Sequence, residues 1–280
     1  FIQSLPWLMQ YLSNCRQSKV RDTSNKLTTL LSLVDEGYED LFNEADIENL
    51  ISRESIFYVW SNKLFYNSAR KDFETREKTG VKIEIISKNE INDVEPNIKN
   101  IFYKGALFNG SYFAKNPKKI SEKLLQLFIE KGGNFKKEKI DEIKILDTNK
   151  VNVHSSKNTY FFDRIVLCAG AWSKNLTDKL GENIPLASER GYHLMYPHPE
   201  NSISRPIAWQ ERGVYFTPMQ DGLRAGGVVE LGDNSNDISS RVVSYLKRST
   251  KAVFPNINNH LSEWVGFRPS VPDSLPVIGQ

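Results

Sequence analysis

No G-x-G-x-x-G occurs in this 280-residue chain. Placed after a first strand, those glycines let a backbone approach a pyrophosphate at a helix N-terminus. The chain therefore carries no such fingerprint of its own. Its opening residues, 1–9, are largely apolar and contain no Gly. Cysteine is scarce, with Cys15 and Cys168 alone. Two are too few for a disulfide framework and favour a reducing compartment. The four His, at positions 154, 193, 198 and 260, do not fall at metal-ligand spacing, so no metal is expected. No apolar run reaches the ~18–20 residues of a membrane span. Neither sign of charge dominates: 37 Lys and Arg against 34 Asp and Glu give +3. That balance argues against a nucleic-acid partner. No Ser/His/Asp or Cys/His constellation stands out, so catalysis by a side-chain nucleophile is not indicated.

What is present reads as an ordinary globular protein, 39% hydrophobic and 25% charged. The length suits one large domain or two modest ones. Residues 1–12 read as a core helix. Ser24 or Asn25 is expected to cap a helix whose apolar stripe runs from Leu27 to Phe42. Residues 56–60 and 63–66 read as a hairpin turned at Ser61-Asn62. A charged helix over 72–79 ends at Gly80, and a strand follows over 81–86. Asn116-Pro117 starts a helix, with Asn as cap and Pro at the first helical position. Gly132-Gly133 ends it. Strands are expected at 135–140, 143–146, 151–154 and 160–162. Arg164-Ile-Val-Leu-Cys-Ala-Gly170 is an uninterrupted apolar run, as in a parallel strand buried on both faces. From 191 to 230 the pattern is an antiparallel sheet. Ser235 or Asp237 caps a last helix, and 264–268 closes as a strand.

Four segments carry chemistry. In Leu167-Cys-Ala-Gly-Ala-Trp-Ser173, Ala169 and Gly170 would let a cofactor come close to the backbone. The same residues also suit a tight strand-to-helix turn. Arg190-Gly191-Tyr192-His193 follows, where Arg190 is either a surface residue or a charge near a cofactor. His193 reads as a satisfied core or edge His. Tyr215 lies in an alternating strand with Thr217 on its face. Arg268, between an aromatic strand and a Pro-rich turn, offers a planar guanidinium that matches a carboxylate. It could equally pair with Asp273 or Glu263.

The ending from Trp264 to Gly279, with Leu5-Pro-Trp-Leu8, Ile91-Asn-Asp-Val-Glu-Pro96 and the segments above, resembles the D-amino-acid oxidase family of FAD enzymes. The D-amino acid dehydrogenase branch is the most similar. The resemblance covers nearly all of the chain, most specifically 164–193 and 213–279. It implies a mixed α/β and α+β fold, with an incomplete Rossmann-like FAD-binding layer interleaved with an antiparallel substrate-binding sheet. Residues 1–110 and 191–260 would form the substrate side. Residues 111–190 and 261–280 would form the cofactor side. It further implies that Ala169 and Gly170 lie near the FAD pyrophosphate and that Arg190-Gly191 passes the flavin. Ile140 would approach the adenine, and Gly279 would lie against the flavin. Arg268 and Tyr215 would hold the substrate, and the flavin itself would do the catalysis. Gly213 stands where the glycine oxidase branch has a pocket His, which puts glycine specificity in doubt. Because the family's glycine-rich segments have no counterpart here, the chain is expected to be an internal piece of such an enzyme, inactive alone. The parent would oxidise a small D-amino acid or amine, passing electrons to a quinone or O2. A secondary-amine or hydroxy-acid oxidoreductase of the same fold, or a non-catalytic remnant binding a ligand or subunit, are the alternatives. A cytoplasmic location, or one on the inner face of a membrane, is expected, and oligomer formation is left open.

Without the fingerprint a pyrophosphate lacks its main set of backbone donors. The 280-residue chain should therefore purify with little or no FAD. A flavin absorbance spectrum checks this, and a stoichiometric yellow protein would show that the donors lie elsewhere.

Overall fold

The computed structural model describes residues 5–146, 150–197, 203–232 and 234–279. His198, residues 1–4 of the first expected helix, and Gln280 lie outside the described residues. Three helices open the chain: α1 (Leu5–Asn14), α2 (Gln17–Leu31) and α3 (Val34–Glu44). Next come β1 (Ile51–Ser52), β2 (Ile56–Trp60), α4 (Lys63–Lys78), β3 (Ile83–Ile86), α5 (Ile91–Val94), β4 (Lys104–Phe108), β5 (Phe113–Ala114) and α6 (Pro117–Glu130). The three strands β6 (Ile140–Ile145), β7 (Val151–Ser155) and β8 (Thr159–Phe162) form a small antiparallel sheet. After α7 (Ser173–Thr177) the chain lays down β9 (Ala187–Tyr196), β10 (Ile207–Trp209), β11 (Val214–Met219) and β12 (Gly222–Gly232). Then α8 (Ser240–Val253) and β13 (Ser262–Ser270) close the order.

The large sheet runs β13-β9-β12-β11-β10-β2-β4-β3. It is mixed, because β10 lies parallel to β2 while pairing antiparallel with β11. One face is the main core. Phe57, Val59, Leu194, Ile207, Val214, Phe216, Leu223 and Ala225 point into it and are buried. Helix α8 packs there through Val242, Val243, Leu246 and Val253, a spacing that keeps them on one stripe. On the other face α4 covers only the β2–β4 end, where Trp60, Tyr66, Phe73 and Phe108 cluster. On the β10–β11–β12–β9–β13 part of that face Tyr215, Trp264, Val229 and Leu231 are exposed, while Ala208 and Thr217 are buried. Strand β13 hydrogen-bonds along β9 from Ser262 to Ser270.

Several expectations hold at residue level. Asn116 accepts from the Lys119 N–H and Pro117 opens α6. Strands β9, β11 and β12 form the antiparallel sheet read between 191 and 230. Glu95, from the Glu-Pro segment, is buried and accepts from the Ser204 N–H and Oγ.

Others are corrected. Residues 63–66 are not a strand but the first turn of α4, because Asn62 accepts from the Leu64 and Phe65 N–H groups and so nucleates a helix. Tyr66 and Phe73 then lie two turns apart against Trp60. The long first stripe is two helices broken at residues 32–33, with α2 beginning at Gln17 rather than at Ser24 or Asn25. The last helix begins at Ser240, beyond Ser235 and Asp237. The apolar run at 164–170 is not a strand. Among the described residues no strand pairs with it, and Val166 is 85% exposed. A central parallel strand needs neighbours on both edges and both faces; this segment has neither here.

Because Asn62 satisfies two first-turn donors of α4, Asn62→Ala should destabilise the fold by about 0.5–2 kcal/mol. Urea denaturation of the two proteins measures the difference. An unchanged midpoint would show that water serves the helix terminus equally well.

Candidate functional site

Directly opposed residues share a sheet face, so the strand register fixes what the open face presents. Tyr58, Ala208, Tyr215, Gly226, His193 and Trp264 form one row across it. Toward one end lie Thr217, Arg224 and Met195. Toward the other end come Val229, Gly191 and Gly266, then Leu231, Glu189 and Arg268. Gly191 leaves a gap: a Cβ there would meet nothing within 4 Å. Gly266 is required for a different reason. The Trp264 ring lies over it, and a Cβ would come within 1.8 Å of that ring. Trp264 in turn stacks on His193, with centroids 4.7 Å apart and planes at 19°. The result is a shallow floor of backbone and aromatic surface, flanked by exposed Val229 and Leu231.

The charges around this floor are few. Arg268 is 74% exposed, and its Nε lies 3.7 Å from a carboxylate oxygen of Glu189, which is 17% exposed. Tyr215 is 43% exposed. Partial burial, and then the neighbouring Tyr58 hydroxyl, push its pKa up, while the charges of Arg76 and Arg268 pull it back. Burial, reinforced by the charge of Arg224, lowers the His193 pKa from 6.5 to about 4. The imidazole is therefore neutral at physiological pH. Burial alone lowers the pKa of the Arg224 guanidinium.

A second concavity lies apart from the sheet face. It is a cavity of about 720 Å³ between the small sheet and residues 165–179, lined by Ile140, Ile143, Val153, Ala169, Trp172 and Leu176 among others. Gly170, at φ 56°, turns the chain there into the short 170–172 helix. Trp172 packs edge-on against Phe267 of β13 at 5.5 Å, which links this cavity wall to the large sheet.

The residues singled out from the sequence therefore fall into groups. Tyr215, Gly191 and Arg268 share the open face. Ile140 and Ala169 line the cavity, with Gly170 at its edge. Arg190 joins neither group, for its guanidinium donates to the Asp237 carbonyl and lies 5.8 Å over the Tyr192 ring, on the core side. Gly279 sits in the exposed terminal segment with no neighbour at its Cβ position. The partner of Arg268 is Glu189 and neither Asp273 nor Glu263; Glu263 instead pairs with His260 and Lys247. Sequence reasoning missed Arg224 and Glu189. For Arg224 the signal was alternation, since Leu223-Arg-Ala225 places one charge opposite two core residues; Ser188-Glu-Arg190 carries no such signal for Glu189. Among the described residues no group of His, Cys, Asp and Glu could hold a metal ion, and no helix is long and apolar enough to cross a membrane.

Residues 11–280 match the family model described as FAD dependent oxidoreductase. The chain is 26% identical to a D-amino-acid oxidase of Bradyrhizobium diazoefficiens, over 99% of this chain and 67% of that protein. It is 23% identical to a D-amino acid dehydrogenase of Allorhizobium ampelinum, over 98% of this chain and 67% of that one. Among solved structures it is similar to glycine oxidase from Geobacillus kaustophilus, with a TM-score of 0.79 and 16% identity over 89% of this chain and 68% of that one. L-proline dehydrogenase from P. horikoshii gives 0.75 and 17% identity, over 88% and 67% respectively.

The His193 shift has a definite sign. Its folded pKa of about 4 lies below the ordinary 6.5, so its contribution to stability is complete above pH 6.5 and is lost as pH falls toward 4. His193→Phe keeps a ring on Trp264 but removes the proton site. Between about pH 7 and pH 5 the unsubstituted chain should lose more of its urea midpoint than the variant does. Equal losses would place the acid sensitivity in other groups.

Proposed function

The chain belongs to the family of FAD-dependent oxidoreductases, and from that premise we propose that it forms the substrate-binding face of an enzyme that oxidises D-amino acids. One observation carries the reading: the strand register sets Arg268 on the same open sheet face as Tyr215. Between them lies a floor that Gly191 leaves without side chains.

That floor fits a small substrate lying beneath the ring system of the cofactor, because such a group can rest on backbone and on the Trp264–His193 stack without meeting a Cβ. The cavity beside Ile140 and Ala169 fits its adenine end, being apolar along one wall. The chain holds no glycine fingerprint for the pyrophosphate. When bound, FAD supplies the hydride acceptor that converts the amino acid to an imino acid.

The chain's own residues then have separable tasks. Arg268 binds the α-carboxylate through two parallel N–H donors, releasing part of its 3.7 Å contact with Glu189. Tyr215 donates its hydroxyl to the same carboxylate and, with its pKa pushed up, keeps that proton over the working range. Neutral His193 adds no second positive charge, which leaves the middle of the floor apolar and dry. No side chain on this face is placed as a strong base, which accords with loss of hydride from a neutral amine. We take a quinone or O2 as the electron acceptor.

Replacing Arg268 tests the reading. A charge-assisted hydrogen bond contributes ~1.5–3 kcal/mol, so Arg268→Leu should raise KM for D-amino acids roughly 10- to 150-fold. Arg268→Lys should recover part, since an ammonium cannot form the forked pair. Steady-state kinetics with a dye acceptor, on protein reconstituted with excess FAD, measure both. An unchanged KM with the fold intact would reduce Arg268 to the partner of Glu189.

A further inference from the structure

The open face carries two arginines, and they differ in kind. Arg268 is solvated and already paired with Glu189. Arg224 is half-buried on β12, opposite Thr217 on β11 and Met195 on β9. Its core-side neighbours Leu223 and Ala225 are fully buried, so the guanidinium stands on the Tyr215 face by alternation. Among the described residues it makes no ion pair, no hydrogen bond and no contact with a ring, and no carboxylate acts on it. Its charge is nevertheless felt at His193, one row away.

A half-buried cation without an acid is costly to maintain, and such groups are ordinarily paired. Here the fold supplies apolar and hydroxyl neighbours and leaves the countercharge to something else. The position is informative. Along β9, Arg268 sits opposite residue 189 and Arg224 opposite residue 195, with the Tyr215 row at 193 between them. A ligand resting on the Tyr215 row, with one carboxylate at Arg268, directs its far end toward Arg224.

We propose that Arg224 is a specificity-determining residue that binds an anionic side chain, so that the preferred substrates are D-amino acids with an acidic side chain. This rests on the substrate face described under the proposed function. The Arg224 guanidinium forms a forked pair with the distal carboxylate. Neutral His193 lets both ends of the dianion bind without a third cation between them. Binding also supplies the countercharge that Arg224 lacks. An isosteric amide leaves the guanidinium unpaired, and sites built for a polar group reject analogues lacking it strongly.

The test compares D-glutamate with D-glutamine, and D-aspartate with D-asparagine, on protein reconstituted with excess FAD. At least one acid should exceed its amide in kcat/KM by roughly 10- to 150-fold, the range of a charge-assisted pair. Arg224→Leu should bring that ratio close to one, and Arg224→Lys should keep part of it, a pattern that a purely structural arginine would not give. A ratio near one in the unsubstituted protein, or a ratio that Arg224→Leu leaves unchanged, overturns the inference while leaving D-amino acid oxidation standing. If no D-amino acid is oxidised, equilibrium binding decides the inference instead. Glutarate should raise the melting temperature of the chain and fail to raise that of Arg224→Leu. Equal responses overturn it.

Discussion

The register of β9 is the constraint on which the site depends. This ten-residue strand is hydrogen-bonded along both edges, to β12 and to β13. Its side chains alternate between two unlike environments. Tyr192, Leu194 and Tyr196 enter the core, while Glu189, Gly191, His193 and Met195 face the open side. A slip of one residue would exchange the two sets. It would bury Glu189 and His193 and expose three core residues, a cost of several kcal/mol at ~1.5–3 kcal/mol per large apolar side chain. The same register carries Arg268 opposite Glu189 and Trp264 opposite His193. Site geometry and core packing are therefore one specification.

A single bulge tunes that specification. The pairing of β12 with β9 shifts between Gly227 and Val229, with Val228 at φ 58°. The shift leaves Val229 and Leu231 on the open face, where regular alternation would have turned them inward. The bulge needs glycine beside it. Gly227 has φ 139°, and a Cβ there would come within 2.0 Å of the Gly213 carbonyl oxygen. Bulges re-aim side chains next to functional sites, and here one brings apolar surface to the edge of the Gly191 floor.

Much of this was legible in the sequence because it is written in period two. Tyr215 and Thr217 alternate with Val214 and Phe216, and that pattern alone assigns their faces. Asn116-Pro117 is likewise a local signal, since a cap and a missing N–H act within one turn. The failures were tertiary or capping effects. Residues 63–66 look like a strand when read alone, yet Asn62 supplies two hydrogen bonds to a helix. Residues 164–170 look like a buried strand, yet an apolar run only states what a segment could bury, and its neighbours decide whether it pairs. Glu189 was unreadable as the partner of Arg268 because the two are 79 positions apart and meet only through strand pairing.

The two arginines show why pairing, and not charge, marks a binding group. An ion pair with one solvated partner, such as Arg268–Glu189, contributes little to stability, ~0–1 kcal/mol. It holds the guanidinium in place and can be exchanged for a substrate carboxylate at small cost. Arg224 has given up part of its hydration for burial, and no acid of the described fold repays it. A half-buried position seldom keeps such a group for packing, because a Leu or Met would fill the same space without the desolvation penalty. Its retention on the one sheet face that also carries Tyr215, the Gly191 floor and Arg268 is therefore best accounted for by an anion that arrives with the substrate.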